Sequence, residues 1–233
     1  MVTYKIKEKI MYRKLKWESD VHYNFGYVEY LPENFDKNKK YPLVIFLHGA
    51  GERGEDLDIA SRHGFMKHVR ESGKEYPFIF IAPQCPNAKY WGCYTESLIA
   101  FLDDMCNTLP VDMDRIYLTG LSMGGTGTFM LAMAAPYKFA AIAPICGSGI
   151  VWYSGALENL PVLIYHGDCD KTVSIHDSIS MVSRINEYGG NAEIKICYGL
   201  GHNAWDVAYE GDELVEWLLS KTKSPKNVDK SAL

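Results

Sequence analysis

Short runs of apolar residues recur along the chain, separated by segments rich in glycine, proline and charged residues. These runs have the length of β-strands and are bounded by turn-forming residues. From residue 43 onward most of them are continuous rather than alternating, which is typical of strands covered on both faces of a sheet. The predicted strands are residues 23–31, 43–47, 78–82, 115–119, 140–145, 162–165 and 192–198.

Segments with helical periodicity lie between these runs. One follows a capping Thr95 with apolar residues at i, i+3, i+4, i+7 and i+11, and another begins with the capping-box pattern Ser174-x-x-Asp177. The apolar positions are Leu98, Phe101, Leu102, Met105 and Leu109 in the first, Ile175, Ile179, Val182 and Ile185 in the second, and Leu214, Val215, Trp217 and Leu218 in a third. Alternating strands and helices predict an α/β fold, with a mostly parallel sheet and right-handed crossovers.

The organisation of the chain predicts one domain over residues 1–220 and a charged, disordered tail over residues 221–233. Basic residues cluster within 5–16 but alternate with apolar ones, which favours an edge strand or an amphipathic segment. The insertion at 147–160 is too short to form a helical lid domain. We therefore expect an open, weakly covered site.

The sequence Gly120-Leu121-Ser122-Met123-Gly124 follows the strand-like residues 114–119 and precedes the helix-compatible residues 126–134. This context is that of a nucleophile elbow, in which a serine occupies a tight strand-to-helix turn with its hydroxyl exposed. Side chains at Gly120 or Gly124 would crowd such a turn. Ser122 is therefore the candidate nucleophile.

A serine hydroxyl needs a neighbouring base, usually a histidine oriented by a carboxylate. After Ser122, the strand at 162–165 leads into a loop that carries Asp168 and Asp170, and the strand at 192–198 leads into a glycine-rich loop with His202. The order serine, acid, histidine is that of an elbow-type triad. Either aspartate could orient His202, and the other would then be a turn-forming residue. His176 falls within the helical pattern and is expected to be an exposed helix residue.

Acyl transfer also requires backbone amides that stabilise a developing oxyanion. One donor is expected from Met123, directly after the nucleophile, and the other from the loop after the strand at 42–47. That loop, residues 48–51, contains small residues that allow close approach to a substrate. His48 is interpreted as a structural residue that holds the loop by hydrogen bonds. The charged residues Glu52 and Arg53 follow, as part of a solvated surface or as the mouth of the site.

These motifs resemble the α/β-hydrolase superfamily over about residues 22–220. The segment 166–170, with Val173, resembles the acid loop of acyl-protein thioesterase and lysophospholipase-like carboxylesterases. The segments 47–54 and 201–205 resemble bacterial esterases labelled "predicted peptidase", which are related to polyhydroxybutyrate-depolymerase-like and feruloyl esterases. The resemblance implies an α/β-hydrolase fold without a large lid domain. It also implies that Asp170 is the triad acid and that Ala50 is the second oxyanion donor, with Gly51 as a neighbouring alternative.

Three tryptophans follow strand ends, where loops form the binding site in sheets of this type: Trp91, Trp152 and Trp205. We predict an aromatic rim that binds an acyl chain or an aryl group. The alternative for each of them is packing within the domain.

Composition limits the other function classes. The 233 residues carry a net charge of −5, which argues against nucleic acid as a partner. Metal-protease and phosphate-loop motifs do not occur, so neither a metal nor another cofactor is expected. The apolar region 129–146 is broken by two prolines and a lysine, so no membrane span is expected. The first residues lack the apolar run of a secretory signal and the six cysteines lack C-x-x-C spacing, which favours a cytoplasmic protein. The sequence does not decide whether Cys85 and Cys93 form a disulfide bridge or whether the chain forms a homo-oligomer.

The leading hypothesis is a serine carboxylesterase that acts on a small-molecule ester, with a short-chain acyl or an aryl, hydroxycinnamoyl-type group. An acyl thioesterase or lysophospholipase is the nearest alternative, and it requires a long apolar groove. A non-catalytic binding module on the same scaffold is a third hypothesis, since a fold does not determine a function.

Overall fold

The computed structural model describes residues 11–227, which form an eight-stranded sheet with helices on both faces. The strands are β1 (Met11–Lys16), β2 (Gly26–Leu31), β3 (Tyr41–Leu47), β4 (Ile79–Pro83), β5 (Val111–Leu121), β6 (Ala141–Ile145), β7 (Val162–Gly167) and β8 (Ala192–Cys197). The α-helices are α1 (Leu57–Ala60), α2 (Gly64–Glu71), α3 (Thr95–Thr108), α4 (Met123–Ala134), α5 (Ile175–Glu187), α6 (Trp205–Glu210) and α7 (Glu213–Leu219). Short 3-10 helices cover Ala50–Glu52, Trp91–Tyr94, Pro136–Lys138 and Val151–Leu157.

The strand order across the sheet is β1-β2-β4-β3-β5-β6-β7-β8. β2 pairs antiparallel with both β1 and β4, and all other neighbours are parallel. Each segment that the sequence predicts as a strand forms a strand in the structure. The edge segment predicted within residues 5–16 forms β1 in the part that the structure describes. The carboxyl ends of β3, β5, β7 and β8 therefore lie at the same edge of the sheet, which is where ligands bind in folds of this type.

Both faces of the central strands are buried, as their continuous apolar sequences predict. In β3, Leu43, Ile45 and Leu47 pack into one core cluster, whereas Val44 and Phe46 pack into the other. Helices α3, α4 and α5 cover the first face, and α2, α6 and α7 cover the second. The two-residue period of a strand thus divides one apolar run between two cores.

The buried stripe of α5 differs from the predicted one. Ile179 is 42% exposed, and the residues that face the sheet are Ser178, Met181 and Ile185. The physical reason is a rotation of the buried face by about one residue, which brings a serine hydroxyl to the end of β7. Ser174 does cap this helix, because its side chain accepts a hydrogen bond from the amide of His176.

Residues 221–227 lie against the domain, in contrast to the predicted disordered tail. The amide of Lys223 donates to the carbonyl of Asp114, and the side chain of Asn227 donates to the carbonyls of Pro136 and Phe139. Residues 228–233 lie outside the described part of the chain. Within residues 11–227, no helix combines the length and the apolar character that crossing a bilayer requires.

Candidate active site

Ser122 occupies the turn between β5 and α4 with φ 55° and ψ −115°. This backbone conformation is unfavourable for a residue with a Cβ atom, and the turn persists because its surroundings define it. The amide of Ser122 donates to the carbonyl of Ile145 in β6, and its carbonyl accepts from the amide of Thr126. The tight turn therefore holds the serine side chain at the carboxyl edge of the sheet, as the motif predicts.

The two flanking glycines are required by close backbone contacts. A Cβ atom on Gly124 would lie 1.8 Å from the carbonyl oxygen of Leu47, and one on Gly120 would lie 2.5 Å from the carbonyl oxygen of Gly124. Both distances are far below any van der Waals separation. The absence of side chains lets β3, β5 and the start of α4 approach one another closely at this point.

We predict that Gly124→Ala destabilises the domain by about 3–5 kcal/mol, because the added methyl group overlaps backbone that cannot shift independently. Gly51→Ala is the matched control, since a Cβ atom there meets nothing within 4 Å. Urea denaturation of both variants measures the difference. Equal free energies of unfolding for Gly124→Ala and the wild type would contradict the packing described for the turn.

Ser122, His202 and Asp170 form a continuous hydrogen-bonded series. Ser122 Oγ lies 2.7 Å from His202 Nε2, and His202 Nδ1 lies 2.7 Å from Asp170 Oδ2. The other carboxylate oxygen of Asp170 accepts from the amides of Thr172 and Val173. The structure thus brings together the three side chains that the sequence predicts to meet.

The environment of Asp170 favours its ionised form. Burial raises the pKa of this carboxyl, but the hydrogen bond from His202 and those from the amides of Val173 and Thr172 outweigh burial and lower it overall. An ionised Asp170 accepts the Nδ1 proton of His202 and leaves Nε2 free to accept the Ser122 hydroxyl. The hydrogen bonds therefore favour the His202 tautomer with its proton on Nδ1, which is the one that proton abstraction from Ser122 requires.

Asp168 has a different role from Asp170. Asp168 is exposed, and its carboxylate accepts a hydrogen bond from the amide of Gly199 at 2.7 Å. This hydrogen bond joins the turn after β8 to the loop after β7. Gly167 permits the same approach, since a Cβ atom there would lie 2.2 Å from the carbonyl oxygen of Gly201. Of the two candidate aspartates, only Asp170 is hydrogen-bonded to His202 among the described residues.

The two predicted oxyanion donors each begin a helical turn. Ala50 is the first residue of a 3-10 helix and Met123 is the first residue of α4. Amides at such positions have no partner within their own helix and are available to a ligand. Arg53 fixes the first of these turns, because its guanidinium donates to the carbonyls of Ala50 and Lys89. Glu52 is buried rather than solvated.

His48 holds the same loop by hydrogen bonds, as predicted. The amide of Cys85 donates to its Nε2 atom at 2.9 Å, so Nδ1 carries the proton and donates to the carbonyl of Gly49 at 2.7 Å. This neutral tautomer uses both ring nitrogens. Burial lowers the pKa of His48 to about 4, because a charged imidazole would lose its hydration and its acceptor atom.

We predict that His48 makes the domain acid-sensitive. In the unfolded chain an ordinary histidine takes up a proton near pH 6.5, whereas the pKa in the folded protein is about 4. Stability is therefore complete above pH 6.5, and this residue alone lowers it by about 3 kcal/mol as the pH falls to 4. Denaturation at pH 7.5 and pH 4.5 should show a smaller difference for His48→Gln than for the wild type. The same difference in both proteins would contradict the prediction.

The structure contradicts one of the three predicted aromatic contacts. Trp91 is 1% exposed, and its indole donates to the carbonyl of His48 while its ring packs over Gly127. Trp91 therefore packs under the loop that contains His48 and is too buried to contact a substrate. Trp152 is 79% exposed on the 3-10 helix after β6, and Trp205 is half-buried with its ring edge-on to His202 at 5.3 Å.

The described residues also contain one group with the spacing of metal ligands. Donor atoms of Cys146, Asp170 and His202 lie within 4.8 Å of one another. Asp170 and His202 already use these atoms in their mutual hydrogen bond, and burial raises the pKa of the Cys146 thiol to about 12. The cluster is therefore better described as an acid–base pair beside a neutral thiol. All six cysteines are free, including Cys85 and Cys93.

Sequence reasoning missed two residues of this region. The sequence offers Arg53 as solvated surface or as the mouth of the site, but not as the residue that binds the carbonyl of Ala50, three positions before it. His166 precedes the acid loop and contacts Asp170 directly, with its Nε2 atom 3.3 Å from Oδ2. A histidine at the end of a buried strand, four residues before the acid, was the available signal.

Comparisons with known proteins show the family and the fold of this chain. The model of the Esterase family, described as "Putative esterase", matches residues 22–218. A protein of Aspergillus terreus named "Probable feruloyl esterase C" is 29% identical over 168 residues, which is 70% of this chain and 62% of that protein.

Solved structures with the same fold include a thermostable esterase and a ferulic acid esterase. The first has a TM-score of 0.83 and 29% identity, and the match covers 91% of this chain and 63% of that one. The second has a TM-score of 0.72 and 20% identity, and it covers 90% and 99%. The fold is thus that of the α/β-hydrolases. The chain spans less than two thirds of the length of the Aspergillus protein.

Proposed function

The chain belongs to the Esterase family, and from that premise we propose that it is a serine carboxylesterase acting on aryl, hydroxycinnamoyl-type esters. The observation that carries the proposal is the uninterrupted series Ser122 Oγ, His202 and Asp170, in which both contacts measure 2.7 Å. A nucleophile, a base and an orienting acid at hydrogen-bond distance are the parts that acyl transfer needs.

In the first half of the reaction, Ser122 Oγ attacks the ester carbonyl while His202 Nε2 takes its proton. Asp170 stabilises the imidazolium that forms and keeps Nδ1 protonated. The negative oxygen of the tetrahedral intermediate is bound by the amides of Ala50 and Met123. His202 then gives its proton to the leaving alcohol oxygen, and the acyl group stays on Ser122.

In the second half, a water molecule takes the place of the alcohol. His202 removes a proton from that water, hydroxide adds to the acyl carbon, and the same two amides bind the second oxyanion. When the intermediate collapses, the proton returns through His202 to Ser122 Oγ and the carboxylic acid is released. Each step uses the proton position that the hydrogen bonds of the resting site already define.

The aryl acyl group is supported by two tryptophans that solvent reaches, one of them in contact with the base. Trp205 packs edge-on against His202, and Trp152 lies in the connection between β6 and β7. The start of this connection lies over α4, where the amide of Ser148 donates to the hydroxyl of Thr126. Aromatic rings bind a planar cinnamoyl group through stacking and edge contacts. The names of the relatives support this choice over a thioesterase or lysophospholipase.

The test is hydrolysis of methyl ferulate and of a p-nitrophenyl ester series from acetate to palmitate, with Ser122→Ala as the blank. We expect the highest kcat/KM for methyl ferulate and, within the p-nitrophenyl series, a decline from acetate towards palmitate. A maximum at palmitate would move the assignment to long-chain acyl esters. If none of these esters shows turnover that depends on Ser122, the proposed activity is wrong.

A further inference from the structure

A second histidine contacts the acid of the proposed triad at the same carboxylate oxygen as His202. His166 is the penultimate residue of β7, and its side chain is 0% exposed. Its Nε2 atom lies 3.3 Å from Asp170 Oδ2 and 3.0 Å from the carbonyl oxygen of Val173. Its Nδ1 atom lies 2.7 Å from the hydroxyl of Ser178, which is buried on the inner face of α5.

These contacts determine where the imidazole protons lie. Nε2 is hydrogen-bonded to the carbonyl oxygen of Val173, which can only accept, so Nε2 carries a proton, and the carboxylate of Asp170 lies beside that N–H at 3.3 Å. The hydroxyl of Ser178 can act as either partner, and it donates to Nδ1 when the ring is neutral. Hydrogen bonds link Ser178 to His166 and link Asp170 through His202 to Ser122, and the 3.3 Å contact between His166 Nε2 and Asp170 Oδ2 lies between these two pieces.

Asp170 is bound on both oxygen atoms. Oδ1 accepts from two backbone amides, and Oδ2 accepts from His202 and lies at the longer distance of 3.3 Å from His166. At 3.3 Å the N–H of His166 is close enough to attract the negative charge of Oδ2 and to restrain the carboxylate. Both effects reach His202 only through Asp170.

We propose that His166 is a positioning residue for ester hydrolysis, which orients Asp170 and limits the charge that Asp170 presents to His202. The proposal rests on the proposed function. Among residues 11–227, ionisable side chains around the network include Cys146 after β6, Cys197 at the end of β8, Asp168 in the same loop and Asp177 of α5, whose carboxylate accepts from the hydroxyl of Ser148. Burial raises the pKa of both thiols, so they stay neutral in the assay range, and Asp168 is turned towards the amide of Gly199.

Two amide substitutions at position 166 distinguish hydrogen-bond donation to Asp170 from simple occupation of the space that the imidazole fills. In His166→Gln the amide nitrogen reaches the position of Nε2, whereas in His166→Asn it reaches only the position of Nδ1. Both variants are polar and fit the space of an imidazole. The control is Ser183→Ala on the exposed side of the same helix, where the hydroxyl contacts Glu187 and not the network.

For His166→Asn we expect kcat to fall by about 10–100-fold with little change in KM, because a misplaced Asp170 no longer holds His202 in register. The acid limb of the kcat/KM profile should move up by about 0.5–1 pH unit, because Asp170 then presents more negative charge to His202. His166→Gln should stay within about threefold of the wild type in kcat, because it keeps a donor at the Nε2 position, and Ser183→Ala should match the wild type.

A wild-type kcat and an unmoved acid limb in His166→Asn would overturn the proposal. Equal losses of kcat in the Gln and Asn variants would also overturn it, because activity would then not depend on a donor at the Nε2 position. A readout without substrate is the downfield NMR resonance of the proton between His202 Nδ1 and Asp170. If that resonance moves in His166→Asn and not in His166→Gln while the wild type cleaves no ester, the proposed function fails and the positioning role stands. If it does not move, the positioning role fails, whatever the enzyme hydrolyses.

Discussion

Ser122→Ala is expected to reduce kcat on the best ester substrate by about 10⁴–10⁶-fold while the domain stays folded. The loss is large because the substitution removes the atom that forms the acyl-enzyme, and neither His202 nor the oxyanion amides can replace it. Alanine has the same backbone restrictions as serine at φ 55°, so the turn is not strained further. KM should change little, since the hydroxyl contributes to bond making rather than to binding.

The measurement is steady-state hydrolysis of methyl ferulate or p-nitrophenyl acetate, together with the midpoint of urea unfolding. Ser183→Ala is a suitable control because Ser183 lies on the exposed side of α5, where its hydroxyl reaches only Glu187. A tenfold loss or less in Ser122→Ala would mean that another group attacks the ester, and the role assigned to the elbow would be withdrawn.

Asp170→Asn is expected to lower kcat by about 10⁴-fold at neutral pH. The carboxylate oxygen that accepts from His202 Nδ1 would be replaced by an amide, which can turn its NH₂ group towards the ring. His202 would then take the other tautomer, with the proton on Nε2, and could no longer accept the hydroxyl proton of Ser122. The backbone amides of Thr172 and Val173 hold the side chain in place, so folding should be preserved.

Asp168→Asn is the matched comparison, because it makes the same chemical change two residues away in the same loop. Its side-chain oxygen still accepts from the amide of Gly199 after the substitution, so kcat should stay close to that of the wild type. If Asp168→Asn loses as much activity as Asp170→Asn, then the charge of the whole loop matters and the acid has been assigned wrongly.

The parts of the site that follow from local chemistry could be predicted from the sequence. The elbow is defined by glycines that no other residue can replace, and the parallel strands bring the loops after β5, β7 and β8 to one edge. The residues alone left Asp168 and Asp170 open, and only the resemblance to a known family favoured Asp170. Both side chains lie in one turn, and only the path of the next loop determines which of them meets His202.

Exposure was the property that the sequence could not supply. Trp91 and Trp152 both follow strand ends, yet one ring lies beneath the loop of His48 and the other is in solvent. Likewise, the apolar pattern of α5 predicts Ile179 inside, whereas Ser178 takes the inner position opposite His166. In each case a hydrogen bond between residues distant in sequence decides the outcome, and periodicity carries no information about such pairs.

The backbone of Ser122 has a consequence for any attempt to improve this protein. A residue with φ 55° and ψ −115° costs roughly 1–3 kcal/mol compared with glycine, which adopts that conformation freely. Selection for heat resistance alone would therefore favour Ser122→Gly, and the variant that survives best would be inert. Directed evolution of this scaffold must screen turnover and thermal tolerance together, since at this position the two demands are opposed.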